Sequence, residues 1–463
     1  MRKKTALWGM VIAAAMGLWA CGKEEEAPQA GPEESKETSV QDTSGAEASG
    51  EGEIDYSGEI RIFSSTPDLA DYWQAIKEEY ETLHPDVTLN FEVYDSTQYH
   101  TALSTAFQSG DMPDLFTSYG SKNAALKQYV DAGAVVDLTP YYTEEELAVF
   151  DTYLIQRAKI DEKLYMSPGS FIDAWPIFYN KKIFADNNLE VPKNYEEFLQ
   201  IMDTLTEKGI TAMSFPGKDV KVPATILMNI QYCLHPEWVE QMIGFDFDSD
   251  PSGKLSDSRH GDACQELLRW IEKGYFGKNW KGLDTNGGIL EFTSGEAAMW
   301  WRGSYDKNAI TANSDIEVGA FWPVTTDGKK VMISGQNTAT GFSISSKTPN
   351  FDLALDVMKF ITGKESMAKI ASDGTYYSGR SDVVMGEGIF GELQKDVCDI
   401  SYPLYCDYFG ALSREGADSW VEYKAVCTAL AFGEKNAEEV ADYMEQNVID
   451  YSIRNFDPWG DGR

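Results

Sequence analysis

Trp175, Tyr179, Trp300, Trp301, Tyr305, Trp322, Tyr376 and Tyr377 stand beside polar residues in segments rich in Gly and Pro, in a chain that carries 12 Trp and 24 Tyr. Indole and phenol rings stack well on the apolar face of a sugar, while Asp, Asn and Arg take sugar hydroxyls in bidentate fashion. The same rings also fill cores, so plain packing competes with ligand contact at each position. Other constellations carry less chemistry. Gly386-Glu-Gly-Ile-Phe-Gly391 has the glycine spacing of a dinucleotide loop but lacks a βαβ unit with an acidic partner. Asp246, Asp248 and Asp250, with Asp257 at the twelfth position, imitate a calcium loop, yet Pro251 stands where its sharp turn needs Gly; a solvated acidic loop is expected. There is no H-E-x-x-H or G-x-S-x-G, and His84, His100, His235 and His260 are scattered, so neither a metal, a cofactor nor a catalytic centre is expected. The rival from another class is a surface-anchored glycoside hydrolase, which would use the same aromatics with two carboxylates about 5–9 Å apart.

These residues need strands and helices to hold them. Gly58–Phe63 alternates as a strand, Ser64-Ser-Thr-Pro67 is a polar loop, and Tyr72, Ile76, Tyr80 and Leu83 fall at helical spacing before His84-Pro85. Val87–Val93 predicts a second strand, Tyr99, Leu103, Ala106 and Phe107 a helix, and Asp114–Phe116 a short third strand. Alternation of this kind predicts a mostly parallel sheet flanked by helices, with ligands at the carboxyl ends of its strands. Ser64, Ser65, Thr66, Asp95, Thr117, Ser118 and Tyr119 then lie at the rim of a cleft. From about Asn180 to Asn313 helix signals dominate and suggest a second lobe; strands return at Val318–Trp322 and Gly341–Ser345.

Arg2, Lys3 and Lys4 followed by the apolar run Ala6–Ala20 read as a secretory signal, shorter than the ~20 residues that span a bilayer. Leu18-Trp-Ala-Cys21 resembles a bacterial lipobox, which implies a signal over 1–20 and a lipid on Cys21. Residues 21–56 are rich in Glu, Ser, Gly, Ala and Pro and predict a disordered acidic tether with a reach of roughly 30–35 Å. Gly22 after the cysteine and this long tether suggest the outer face of a single-membrane cell. A net charge of −36 argues against nucleic acid and anionic lipid, so attachment to a membrane rests on the lipid alone. The five cysteines beyond Cys21 form no framework; buried free thiols are expected, with Cys398–Cys406 open as a local bridge.

Tyr80-Glu-Thr-Leu-His-Pro-Asp-Val87, Ser109-Gly-Asp-Met-Pro-Asp-Leu-Phe116, Tyr129-Val-Asp-Ala-Gly133 with Asp137-Leu-Thr139, Trp175-Pro-Ile-Phe-Tyr-Asn-Lys-Lys-Ile-Phe184 and Phe292-Thr-Ser-Gly-Glu-Ala-Ala-Met299 through Gly303 follow one another in order. Together they closely resemble the extracellular solute-binding proteins of carbohydrate ABC importers, the maltose-binding-like group. The resemblance implies a two-lobed α/β fold, each lobe a mostly parallel sheet flanked by helices, joined by three chain crossings near Pro168–Pro176, Val318–Val324 and Asp373–Arg380. The lobes become discontinuous, 57–170 with 321–373 and 171–320 with 374–463, in place of two sequential halves. It also implies a monomeric receptor, not an enzyme, that closes on a mono- or oligosaccharide and hands it to an ABC permease; a non-sugar solute on the same fold is the alternative. Carried over, Tyr305 is the stacking aromatic, Asp173 and Trp175 a hinge-side acidic and aromatic pair, and Ser64, Ser65, Ser118 and Tyr119 polar contacts. Tyr376 and Arg380 at the third crossing, with Trp301 and Trp322 from the aromatic set, complete the expected site. Tyr377-Ser-Gly-Arg380 stands where the family often has Pro.

Overall fold

The computed structural model describes residues 54–120, 124–150, 152–169, 171–172, 174–239, 255–312, 316–331, 340–373, 376–384, 386, 388–394 and 419–446. The signal, Cys21, nearly all of the tether, Asp173, the Asp246–Asp250 run, Cys398 and Cys406 lie outside the described residues.

Twelve strands are described: β1 (Gly58–Ser64), β2 (Val87–Val93), β3 (Leu115–Ser118), β4 (Lys159–Ile160), β5 (Lys163–Leu164), β6 (Phe171–Ile172), β7 (Ile177–Asn180), β8 (Thr211–Ser214), β9 (Ala297–Trp301), β10 (Val318–Phe321), β11 (Gly341–Ile344) and β12 (Tyr377–Ser378). The first sheet has the order β11-β3-β1-β2 and the second β10-β7-β9-β8. In each, three strands run one way and one runs against them: β11 opposes β3, and β7 opposes both β9 and β10. The opposing strand has the same origin in both sheets, since each arrives from the other lobe and so enters at the end where its neighbours leave. Gly341 therefore pairs with Ser118, and Ile177 with Trp301 and Phe321.

Side-chain alternation explains why the first sheet is covered on both faces. Ile60, Ile62 and Leu115 point into one core, whereas Phe63 and Phe116 join Tyr99 and Tyr129 in another. The helix Ala70–Leu83 buries Trp73, Ile76 and Tyr80 at helical spacing and ends at His84, ahead of Pro85. In the second lobe the helix Lys221–Leu234 is buried all round from Val222 to Cys233. Helices Ser258–Lys273 and Ser419–Phe432 pack against it, and the C-terminal part of the chain thus returns to this lobe. Cys233, Cys264 and Cys427 are buried free thiols there. Asp257 caps the helix Ser258–Lys273 by accepting from the Arg259 N–H and pairs with its guanidinium at 2.7 Å, so both carboxylate oxygens have protein partners.

The crossings are tied to one another. β6 on the first pairs antiparallel with β12 on the third, and Gly379 lies so close to Gly169 that a Cβ would stand 1.8 Å from its carbonyl oxygen, which requires Gly. Ser167 donates its N–H to Phe342 O and accepts the Phe342 N–H on its hydroxyl, both at 2.8 Å. After β10 the chain stays with the second lobe longer than the sequence suggests. A hairpin closed by Val324 and Lys330 accepts from Tyr195 N and donates to Cys233 O. The hairpin packs with the second lobe as far as Val331.

Candidate ligand-binding site

At the carboxyl ends of β1 and β3 the structure gathers a set of small hydroxyls. Ser64 Oγ and Thr66 Oγ1 lie 2.9 Å apart, Thr66 Oγ1 accepts from Trp73 Nε1 at 3.1 Å, and the Ser65 N–H points to Thr117 Oγ1 at 3.4 Å. Ser118 Oγ meets Ser343 Oγ at 2.6 Å, and Ser343 also donates to Tyr165 O. Ser64, Ser65, Thr66, Thr117 and Ser118 are all buried. Among the described residues the Ser65 hydroxyl has no hydrogen-bond partner, although an unmet buried hydroxyl costs about 1–3 kcal/mol. Tyr119 packs against His100 with ring centroids 5.3 Å apart, and its carbonyl accepts from Arg157 Nη2 at 2.6 Å. Asp95 is occupied as a helix start, accepting the Gln98 N–H at 3.0 Å.

The second lobe contributes an aromatic corner. The turn after β9 is stitched to the first crossing by three contacts: Ser304 N–H to Ala174 O, Ala174 N–H to Ser304 Oγ, and Trp301 Nε1 to Trp175 O at 3.1 Å. These bonds set Tyr305 edge-on to Trp175, with centroids 6.2 Å apart and planes at 82°. Tyr305 stays half-buried because its ring lies over Gly303, where a Cβ would come within 2.1 Å of Cε1. Behind the ring is Arg302, its guanidinium 5.8 Å from the Tyr305 centroid and 5.7 Å from that of Trp300. Arg302 pairs with Asp306 at 3.2 Å and Asp219 at 3.3 Å and donates to Thr285 Oγ1 at 2.8 Å. Burial works against the Asp219 charge. The Lys221 N–H, the Thr285 hydroxyl and the Arg302 charge prevail, holding its carboxyl below the usual carboxylate range.

The other expected residues are not brought to this corner as open faces. Trp301 and Trp322 are 2 % and 1 % exposed, and the Trp322 N–H is taken by Leu393 O at 3.0 Å. Tyr376 is buried in the core that runs through the crossings. Arg380 forms a two-pronged pair with Asp382, 3.0 Å at each prong, and lies over Phe150.

Residues 65–368, well over half of the chain, match the family model of the bacterial extracellular solute-binding proteins. The chain belongs to that family. It is 24 % identical over 315 residues to the multiple sugar-binding protein of Streptococcus mutans, covering 67 % of this chain and 72 % of that one. Further curated relatives match over shorter stretches; the chain spans 38 % of the diacetylchitobiose binding protein of Streptomyces coelicolor at 28 % identity. Among solved structures, a chitin oligosaccharide binding protein superposes with a TM-score of 0.69 at 20 % identity, covering 86 % of this chain and 99 % of that one. The raffinose complex of the solute-binding protein RafE gives 0.68 at 19 %, with 84 % and 98 % covered. These neighbours share the two-lobed α/β fold.

Within this solute-binding protein, the sequence reading passed over Arg302, Asp219 and Thr285. The signal for Arg302 was its place between Trp301 and Gly303, a lone cation directly after the apolar run Ala297–Trp301. Asp219 and Thr285 carry no local signal, because they reach Arg302 only through the fold.

Proposed function

We propose that this solute-binding protein is a sugar receptor of an ABC importer, closing its two lobes on a neutral mono- or oligosaccharide and presenting it to a membrane permease. The observation that supports this best is the corner at the first crossing: a half-buried Tyr305 edge-on to Trp175 leaves part of a ring open where the chain passes between the sheets. Aromatic pairs, edge-on or stacked, contribute about 0.5–1.5 kcal/mol beyond area burial. The hydroxyl set at the ends of β1 and β3, with the unpartnered Ser65 Oγ, supplies polar contacts from the opposite lobe. A sugar touching both lobes favours the closed form by its differential affinity. The lobes are taken as 57–170 with 321–373 and 171–320 with 374–463. The site is taken as Ser64, Ser65, Ser118, Tyr119, Asp173, Trp175 and Tyr305, the protein acting as a monomer without catalysis, held to the outer face of the cell membrane by a lipid on Cys21.

A thermal-shift screen of purified protein over neutral mono- and oligosaccharides tests the reading. Ligand at 100 times its dissociation constant stabilises the fold by about 2.7 kcal/mol. Upward shifts with neutral sugars and none with phosphate or short peptides are expected; the reverse pattern overturns it. Release of reducing sugar from those oligosaccharides would instead make the protein a hydrolase. For the anchor, the mass of the mature N-terminus should show diacylglycerol on Cys21, lost in Cys21→Ser.

A further inference from the structure

Arg302 is 8 % exposed, and its partners come from separate parts of the second lobe: Asp306 from its own turn, Asp219 from the loop before helix Lys221–Leu234, and Thr285 from the start of helix Thr285–Thr293. The anchors are fixed in their turn. Asp219 accepts the Lys221 N–H at 3.0 Å and the Thr285 hydroxyl at 2.8 Å, and Asp306 accepts Trp300 Nε1 at 3.1 Å. The guanidinium carbon lies 5.8 Å from the centroid of the Tyr305 ring. A surface cation needs none of this. Burying one charge beside two carboxylates costs several kcal/mol of desolvation per ion, which only well-placed hydrogen bonds offset.

We infer that Arg302 is a positioning and specificity residue of the ligand site: with Asp219, Thr285 and Asp306 it fixes the Tyr305 ring over Gly303 and sets the polarity of the Tyr305 hydroxyl. A guanidinium has donors only, so in a bond between the two the phenol oxygen accepts and the phenol proton is left to be given away. The ligand atom meeting that hydroxyl is therefore an acceptor, such as a ring or glycosidic oxygen or a hydroxyl oxygen. This rests on the sugar-receptor reading for its ligand but not for its geometry.

The test therefore has two readouts. In the first, without any sugar, the protein is labelled with 3-fluorotyrosine, and the Tyr305 fluorine resonance is assigned by its loss in Tyr305→Phe. It should move in Arg302→Met and, less, in Thr285→Val, which removes one hydrogen bond and no charge; Arg269→Met, at an ion pair elsewhere in the lobe, should leave it in place. An unmoved resonance in a folded Arg302→Met or Thr285→Val protein overturns the inference. In the second readout, calorimetry with raffinose, stachyose, maltotriose and diacetylchitobiose should give at least a tenfold weaker best binder for Arg302→Met, partial recovery in Arg302→Lys, and less-than-additive losses when Arg302→Met is combined with Tyr305→Ala. Additive losses, or full affinity in Arg302→Met, also overturn it. If the native protein binds none of the four, the receptor reading is weakened, and the resonance alone decides about Arg302.

Discussion

Two corners near the crossings carry the same residue types and use them differently. At the first, Trp175, Tyr305 and Arg302 combine a half-buried ring with an arginine whose partners come from three separate segments. At the third, Trp322 and Tyr377 pack with centroids 5.7 Å apart at 1 % and 5 % exposure, and Arg380 is clipped to Asp382, two residues away. The charge of Arg380 is met by this local clip, and its Nη1 turns to Thr362 O at 3.5 Å. An arginine held by distant anchors fixes a surface for something else. Exposure of the ring, and charged partners drawn from distant segments instead of from two residues away, distinguish the first corner from the third.

The largest effect that could break this distinction is Trp322→Ala. Emptying an enclosed indole site and orphaning Leu393 O should cost about 3–5 kcal/mol of stability. Urea denaturation measures it, and affinity per folded molecule should be unchanged. A loss below about 1 kcal/mol would mean that the third corner is open in solution and equivalent to the first.

How firmly the second lobe is sealed behind the first corner can be read by titration. His260, on the helix Ser258–Lys273, is 0 % exposed, with Nε2 3.6 Å from Cys264 Sγ. Burial, against a smaller opposing pull from Asp257, pushes its pKa down from 6.5 to about 4. The unfolded chain then takes up the proton first as pH falls. Stability is full above about pH 6.5 and is lost progressively down to about pH 4, by about 3 kcal/mol in all. Denaturation midpoints between pH 7 and 4 should show this fall, and His260→Leu should flatten it; an unchanged slope in the variant would show that water reaches the ring.

Tyr305→Ala comes next. It should weaken sugar binding by more than about 1 kcal/mol while shifting stability by less, because the ring is half out of the core. Calorimetry with an identified sugar checks the first part and thermal unfolding the second. Unchanged affinity would remove Tyr305 from the site and with it the contrast between the corners.

Much of the scaffold was legible in the sequence because local periodicity governs it. The strands near Gly58, Val87 and Leu115 and the helix through Ile76 and Tyr80 follow from patterns a few residues long, although that helix buries Trp73 and leaves the expected Leu83 exposed. The resemblance carried by the order of segments then put Trp175 and Tyr305 in one expected site. The roles of Trp301 and Trp322 were not legible, since a tryptophan at a strand end reads alike whether its face is open or covered. Coverage depends on residues far along the chain: Trp175 O for one indole, Leu393 O for the other. The same holds for Arg302, whose partners Asp219 and Thr285 lie 83 and 17 positions away. The attachment of the hairpin after β10 was not legible either, because it looks like an ordinary turn until Tyr195 and Cys233 are seen to hold it.

The smallest effect is the most pointed. The Asp382 carboxyl lies below the usual range chiefly because Arg380 hydrogen-bonds to it, so the pair satisfies itself at the surface of the third crossing. Pairs of this exposure contribute about 1 kcal/mol or less. Arg380→Met should therefore cost no more than that in thermal unfolding, lose what it costs as pH falls through the lowered carboxylate range, and leave sugar affinity within twofold. A tenfold loss of affinity, with stability kept, would show Arg380 leaving Asp382 for the ligand, and the partners seen without ligand would no longer be a guide to which corner binds.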